Sequence, residues 1–337
     1  MAELNTFSCP VCRTHRLGKN TQSCSVCGFS YAFVQWFACE EDLNAWVKEV
    51  KNYKAKLLEQ IGKSYAQNPV LSLGERAVAC VLKKKQFLII TDGTEPKIYH
   101  DVAQIAFGGQ HCLLLYHDGH VESIQISDGN YGQYDVENWE NIVFVATGDN
   151  CSYGVDKSGK IQVSGLTTIP QNEVQGLVNV KEVADAKTFL AVLGQDRKLS
   201  LIFSNGKAAL SDRLFRKAEE CQNITFTSIA AGENCVAALD EKGRVHCFCM
   251  REDDSRRIAE LWENIVAVAV DSRYVVGLTD KGKLQLAGEK TIMDAGRADV
   301  ISWNDIISIS CSKAGIGAIS LDGSFLLAGN LIKGDDL

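Results

Sequence analysis

Four cysteines near the start of the chain have the spacing of metal ligands. Cys9 and Cys12 stand in CPVC, Cys24 and Cys27 in CSVC, and eleven residues separate the two C-x2-C knuckles. Such knuckles present four thiolates tetrahedrally, which suits one structural zinc; iron accepts similar ligands, and the spacing alone leaves that alternative open. A closed four-thiolate site contributes folding energy and keeps no coordination position free for catalysis. Gly28, directly after the second pair, lets backbone amides turn toward sulfur. The segment resembles a short zinc ribbon. A redox-active C-x2-C is the weaker reading, because such motifs usually occur singly beside a βαβ pattern.

Other candidate chemistry is sparse. His111, His117 and His120 gather near Asp118, without a nucleophile or second carboxylate close in sequence, so they read as a core histidine and a solvated hairpin tip. Cys247 and Cys249, two apart, share one face of a strand but lack partners at ligand spacing, so buried free thiols are expected. The chain carries no phosphate loop, no HExxH and no dinucleotide fingerprint. A protein without catalytic activity is expected. Thirteen cysteines follow a start, MAELNTFSCP, that lacks the pattern of a signal peptide. A reducing cytoplasmic setting without a disulfide framework is therefore the expectation.

What must position these residues is a repeat. WENIV occurs at Trp139–Val143 and again at Trp262–Val266, and the related WNDII begins at Trp303. Seven units share one frame: an apolar strand, a tight connection, a second apolar strand, a polar turn and a third alternating strand. One middle-strand position marks each unit: Ala77, His111, Cys151, Phe189, Cys235, Tyr274 and Gly315, at separations of 34, 40, 38, 46, 39 and 41 residues. The turns that follow end at Gly119, Gly159, Gly243, Gly282 and Gly323, with Lys85 and Arg197 in the two weaker copies. Twelve residues before the marker stand Tyr99, Trp139, Leu177, Trp262 and Trp303, and Asn223 breaks the rule. A large apolar side chain once per unit suits wedge packing between neighbours. Strand units of about 40 residues cannot bury both faces alone, so they must stack or close radially.

IAFGGQHCLLL and IAAGENCVAAL, each followed by a DG-type turn, resemble the strand signature of the regulator of chromosome condensation family, and GNYGQY (Gly129–Tyr134) is similar to that family's G-N-x-x-G-Q-L loop. The resemblance covers roughly residues 70–330. It implies a mainly β protein, a seven-bladed β-propeller with four strands per blade. The expected domains are a zinc ribbon at 1–35, a linking amphipathic helix at 39–63 and the propeller at 68–337. The helix follows from apolar spacing through Leu43, Trp46, Val47, Val50, Tyr53, Leu57 and Ile61. A strand from before Val70 would complete the last blade.

Charge bears on partners. The net charge is −7, divided as +2 over residues 1–70 and −9 over the rest. A surface that wraps nucleic acid needs clustered positive charge, which this propeller lacks. No run approaches the ~18 consecutive apolar residues of a membrane span. The expected function is a protein–protein interaction scaffold whose partner is a protein, of basic character. The longest excursion between units, Ser204–Asn223, carries Leu210, Leu214 and Phe215 in a short helical pattern and is the expected partner-binding surface. The resemblance also implies guanine-nucleotide exchange on a small GTPase as an alternative, and the basic residues Arg13, Arg16 and Lys19 leave weak nucleic-acid binding through the ribbon as another.

Overall fold

The computed structural model describes Glu41, Ala45 and residues 71–73, 77–83, 86–91, 97–204, 208–289, 297–313, 315–320 and 325–329. The four ribbon cysteines and the linking segment lie outside these residues, except that Glu41 and Ala45 are helical. The segment before Val70 that was to complete the last blade lies outside them too.

Seven antiparallel sheets are present among the described residues. The first runs β1 (Leu71–Leu73), β2 (Ala77–Lys83), β3 (Gln86–Thr91) and β4 (Lys97–His100). Six three-stranded meanders follow: β5 (Val102–Phe107), β6 (His111–Tyr116) and β7 (Val121–Gln125); β8 (Ile142–Thr147), β9 (Cys151–Asp156) and β10 (Ile161–Gly165); β11 (Val180–Asp185), β12 (Phe189–Gly194) and β13 (Leu199–Phe203); β14 (Phe226–Gly232), β15 (Cys235–Asp240) and β16 (Val245–Cys249); β17 (Ile265–Val270), β18 (Tyr274–Thr279) and β19 (Leu284–Gly288); β20 (Ile306–Ser312), β21 (Gly315–Ser320) and β22 (Phe325–Gly329). The expected four strands per unit therefore hold only for the first sheet. Four of the segments between a third strand and the next unit hold a helix instead, α1 (Gln171–Gln175), α2 (Ala208–Glu220) and the 3-10 helices Ser255–Leu261 and Arg297–Ser302, while the one between β7 and β8 is made of turns and bends. Those segments lack the period-two alternation a fourth strand needs, and Pro170 heads one of them.

The repeat's residues have identifiable work. The turn glycines Gly119, Gly159, Gly243 and Gly282 have φ of 95°, 78°, 73° and 69°, and Arg197 holds the same place at 64°. Each turn also reaches the next unit. The backbone amides of Ile142, Val180, Phe226, Ile265 and Ile306 donate to the carbonyls of Gly119, Gly159, Arg197, Gly243 and Gly282, all at 2.9 Å. The tryptophan wedge explains a second glycine. A Cβ on Gly154 would stand 2.7 Å from the Trp139 ring, and one on Gly277 equally close to Trp262. The cores lie between consecutive sheets. Leu113, Leu115 and Val121 pack with Val136, Trp139, Ile142 and Val145. The next core joins Tyr153, Val155 and Ile161 to Val180, Val183 and Val192. Middle strands are buried on both faces, which is why they read as continuous apolar runs. The described residues divide into two compact units, one built on Val102–Gly277 and Leu286–Glu289.

One expectation about the thiols is overturned. Cys249 is joined by a disulfide to Cys235, while Cys247 remains a buried free thiol. The β15–β16 register places Cys235 directly opposite Cys249, a long-range relation that spacing along one strand does not reveal.

Candidate partner-binding site

The excursion after β13 forms α2, and its faces divide sharply. Leu214 is 0% exposed and sits among Phe189, Phe226, Val236 and Phe248. Leu214 thus belongs to the core between the β11–β13 and β14–β16 sheets, which corrects its expected role in contacting a partner. Helical periodicity turned one side of the excursion inward, where the missing fourth strand leaves apolar surface uncovered. Phe215, the next residue, is 44% exposed and tilts against the Phe203 ring at 4.6 Å between centroids. Leu210 lies in the first turn of the same helix.

Two cations seal α2 onto an open sheet edge. Arg213 donates to the carbonyl of Cys249, and Lys217 donates to the carbonyl of Cys247 at 2.7 Å. Lys217 also pairs with Glu260 of the 3-10 helix and lies over the Phe248 ring at 5.5 Å. Alternate carbonyls of one edge are available to them because β16 has no further strand beside it among the described residues. The helix therefore covers an edge with its inner face and offers Asp212, Phe215, Arg216, Glu219 and Glu220 to solvent.

The histidines do not converge. His111 begins β6 and is fully buried, whereas His117 and His120 lie beyond its far end in the turn. At the turn, His120 Nδ1 and an Asp118 carboxylate oxygen are 2.7 Å apart, and the His120 ring stacks on Tyr116. His111 Nε2 donates to Ser152 Oγ at 2.8 Å, and Ser152 in turn donates to the carbonyl of Gln133. That assignment leaves Nδ1 as a buried nitrogen without a partner, and burial lowers the His111 pKa to about 4. Gln133, fully buried, organises the Gly129–Tyr134 loop by donating to the carbonyl of Gly129 and accepting from the amide of Tyr131.

A polar cluster that the sequence reading missed joins three successive units. Asp185 accepts from Tyr153 Oη at 2.9 Å and from the amide of Lys187 at 2.6 Å, with the Cys151 thiol at 3.4 Å. Burial raises its pKa, and burial likewise pushes the Cys151 thiol up to about 12. Lys187 bridges Asp149 at 2.8 Å and Glu233 at 3.3 Å. The available signal was a break in the repeat: Phe107, Thr147, Ala231, Val270 and Cys311 occupy the slot that Asp185 fills.

No protein-family profile matches the sequence, and no curated protein sequence matches it. Solved structures do resemble it. The CRINKLY WD40 ectodomain of the Arabidopsis thaliana receptor kinase ACR4 shares 13% identity, covering 78% of this chain and 95% of that one, with a TM-score of 0.55. Human WBSCR16 shares 15% identity over 78% of this chain and 86% of its own, also at 0.55. The yeast RCC1 protein Prp20, bound to Kap60, matches at 14% identity over 79% of this chain and 66% of that chain, with a TM-score of 0.38. At such identities the likeness is one of fold, and the first two matches give the repeated sheets a propeller-type architecture.

Proposed function

We propose that the chain is a protein-binding scaffold without catalytic activity, a seven-bladed RCC1-like β-propeller with a structural zinc ribbon, working in the cytoplasm. The observation that carries this reading is the two-sided placement of α2. Leu214 anchors the helix in a core, while Phe215 remains 44% exposed on the longest insertion of the repeat. An aromatic side chain held outward on a rigid element and ringed by charged residues has the form of a binding anchor. The titratable groups agree with a scaffold: His111 is buried in its neutral form, and burial pushes the Cys151 and Cys247 thiols up to about 12, away from a reactive thiolate. No helix among the described residues is long and apolar enough to cross a membrane. With −9 carried by residues 71–337, the partner is a basic protein whose association quickens at low ionic strength.

Affinity capture of partners with the full chain and with Phe215→Ala tests the site. The variant should melt near the wild-type temperature yet lose about 1–3 kcal/mol of affinity for the captured protein. Leu214→Ala is the contrasting control, expected to cost about 2–5 kcal/mol of stability through a cavity. A folded Phe215→Ala protein that binds as the wild type does would remove this face from the site.

A further inference from the structure

We infer that Cys235, Cys249 and Asp254 form a metal site for a thiophilic divalent cation of the zinc class, open in the reduced chain and closed by the disulfide. The first observation comes from the repeat. The pair that joins the marker residue to the end of the third strand is Cys151–Gly165 in one sheet and Gly315–Gly329 in another. A Cβ on Gly288 would come within 2.7 Å of Tyr274 Cα at the corresponding place. Other sheets set His111 opposite Gln125 and Phe189 opposite Phe203 at this position, so it accepts paired side chains as well as glycine. In β15–β16 the same place holds the two disulfide-bonded cysteines, both 0% exposed, on Cα atoms 3.9 Å apart.

The second observation is a fixed carboxylate. Asp254 places an oxygen within 4.8 Å of both sulfurs. Arg256 holds it by three hydrogen bonds, from its backbone amide at 3.0 Å, from Nε at 2.9 Å and from a terminal guanidinium nitrogen at 2.7 Å. Arg256 is itself anchored on the carbonyls of Glu233 and Asp271, each at 2.9 Å. A carboxylate oriented in this way is prepared to accept a cation, since outer partners that fix a ligand also tune its affinity. Two thiolates and one carboxylate suit zinc, with water completing a tetrahedral set.

Charge closes the argument, because a buried site must balance its charge in each state. With the disulfide formed, Asp254 and Arg256 neutralise each other. With two thiolates, Asp254, Arg256 and a divalent cation, the total is again zero. Opening requires a dithiol reductant, which gives two electrons and two protons to the S–S bond and becomes a disulfide itself. Metal binding then releases the two thiol protons to solvent. Glu252, exposed on the loop before Asp254, adds negative charge along the approach, whereas Asp253 is paired with Arg251. Apolar neighbours Ala259, Trp262 and Val275 keep the other side dry.

Cobalt(II) titration of the full chain, followed by its thiolate charge-transfer absorption, tests the site. The measurement compares phosphine-reduced and air-oxidised protein, each as wild type and as a Cys235→Ala, Cys249→Ala double variant. Reduced wild type should take up one more equivalent than the reduced double variant, and the oxidised forms should take up equal amounts. The difference is independent of metal held by Cys9, Cys12, Cys24 and Cys27, which both proteins retain. Asp254→Asn leaves the buried Arg256 without its carboxylate, so its folding is checked by circular dichroism, and the folded variant should hold the additional equivalent more weakly by roughly tenfold or more. Equal uptake by the two reduced proteins, with both folded, refutes the site, and so does an unchanged affinity in Asp254→Asn.

Discussion

His111 shows how one buried side chain ties the stability of this fold to pH. Its Nδ1 has no hydrogen-bond partner, so a proton there would create a charge in a buried, desolvated place. The folded pKa lies near 4, against an ordinary value of 6.5. Because the folded value is depressed, the stabilising effect is complete above 6.5 and is lost as pH falls from that value toward 4. The size is roughly 3 kcal/mol at about 1.36 kcal/mol per pKa unit. Asp185 acts in the opposite sense: its raised pKa means that stability declines as pH rises out of the usual carboxylate range. A comparison of wild type with His111→Gln, by urea unfolding at pH 7 and pH 4, separates the two. The wild type should lose about 3 kcal/mol more than the variant on acidification, and parallel losses would refute the assignment.

At the scale of elements, the WENIV repeat is a junction between sheets. Its tryptophan packs over the glycine three residues after the marker, Gly154 or Gly277. Its asparagine takes a left-handed conformation, with φ of 56° at Asn141 and 60° at Asn264, matched by 58° at Asp101 and Asn179 and 55° at Asp305. Asn and Asp tolerate that region better than other residues with a Cβ. Asn264→Val should therefore cost about 1–3 kcal/mol, while Asn264→Gly should remain within a few tenths. Thermal unfolding of both variants checks this, and equal effects would count against the conformational explanation. The sheets, their hairpin turns and the tryptophan wedge were legible because each depends on residues within one 40-residue unit. Three features were not. The absent fourth strand depends on segments, four of them helical and one of turns and bends, that the repeat frame treats as spacers. Leu214 resembled a free apolar residue because the surface it covers belongs to two other sheets. The Cys235–Cys249 pairing depends on register across β15 and β16, whereas Cys247 and Cys249 are the pair that proximity in sequence suggests.

At the largest scale, the cores between sheets within Val102–Glu289 form a succession of separate packages among the described residues. One draws on Leu113 through Val145, the next on Phe144 through Ile202, and two more continue to Ala287. In such an arrangement each unit is stabilised chiefly by its neighbours, and a local change stays local. The four ribbon cysteines lie far upstream of every residue in these packages, and the zinc they are proposed to hold would stabilise only its own segment. Elemental analysis of the purified chain should give about one zinc from that site, and Cys24→Ser should abolish it. The melting temperature of the β-rich part should then stay within about 2 °C of wild type, since a loss of even 1 kcal/mol in a domain of this size shifts it by roughly 2–4 °C. A larger fall in Cys24→Ser would show that the ribbon supports the sheets directly. Zinc that survives in Cys24→Ser but disappears in the Cys235→Ala, Cys249→Ala variant would instead assign the metal to the β15–β16 thiols. The two sites are thus separable in one set of preparations, because their ligands share no residue and their loading depends differently on reduction.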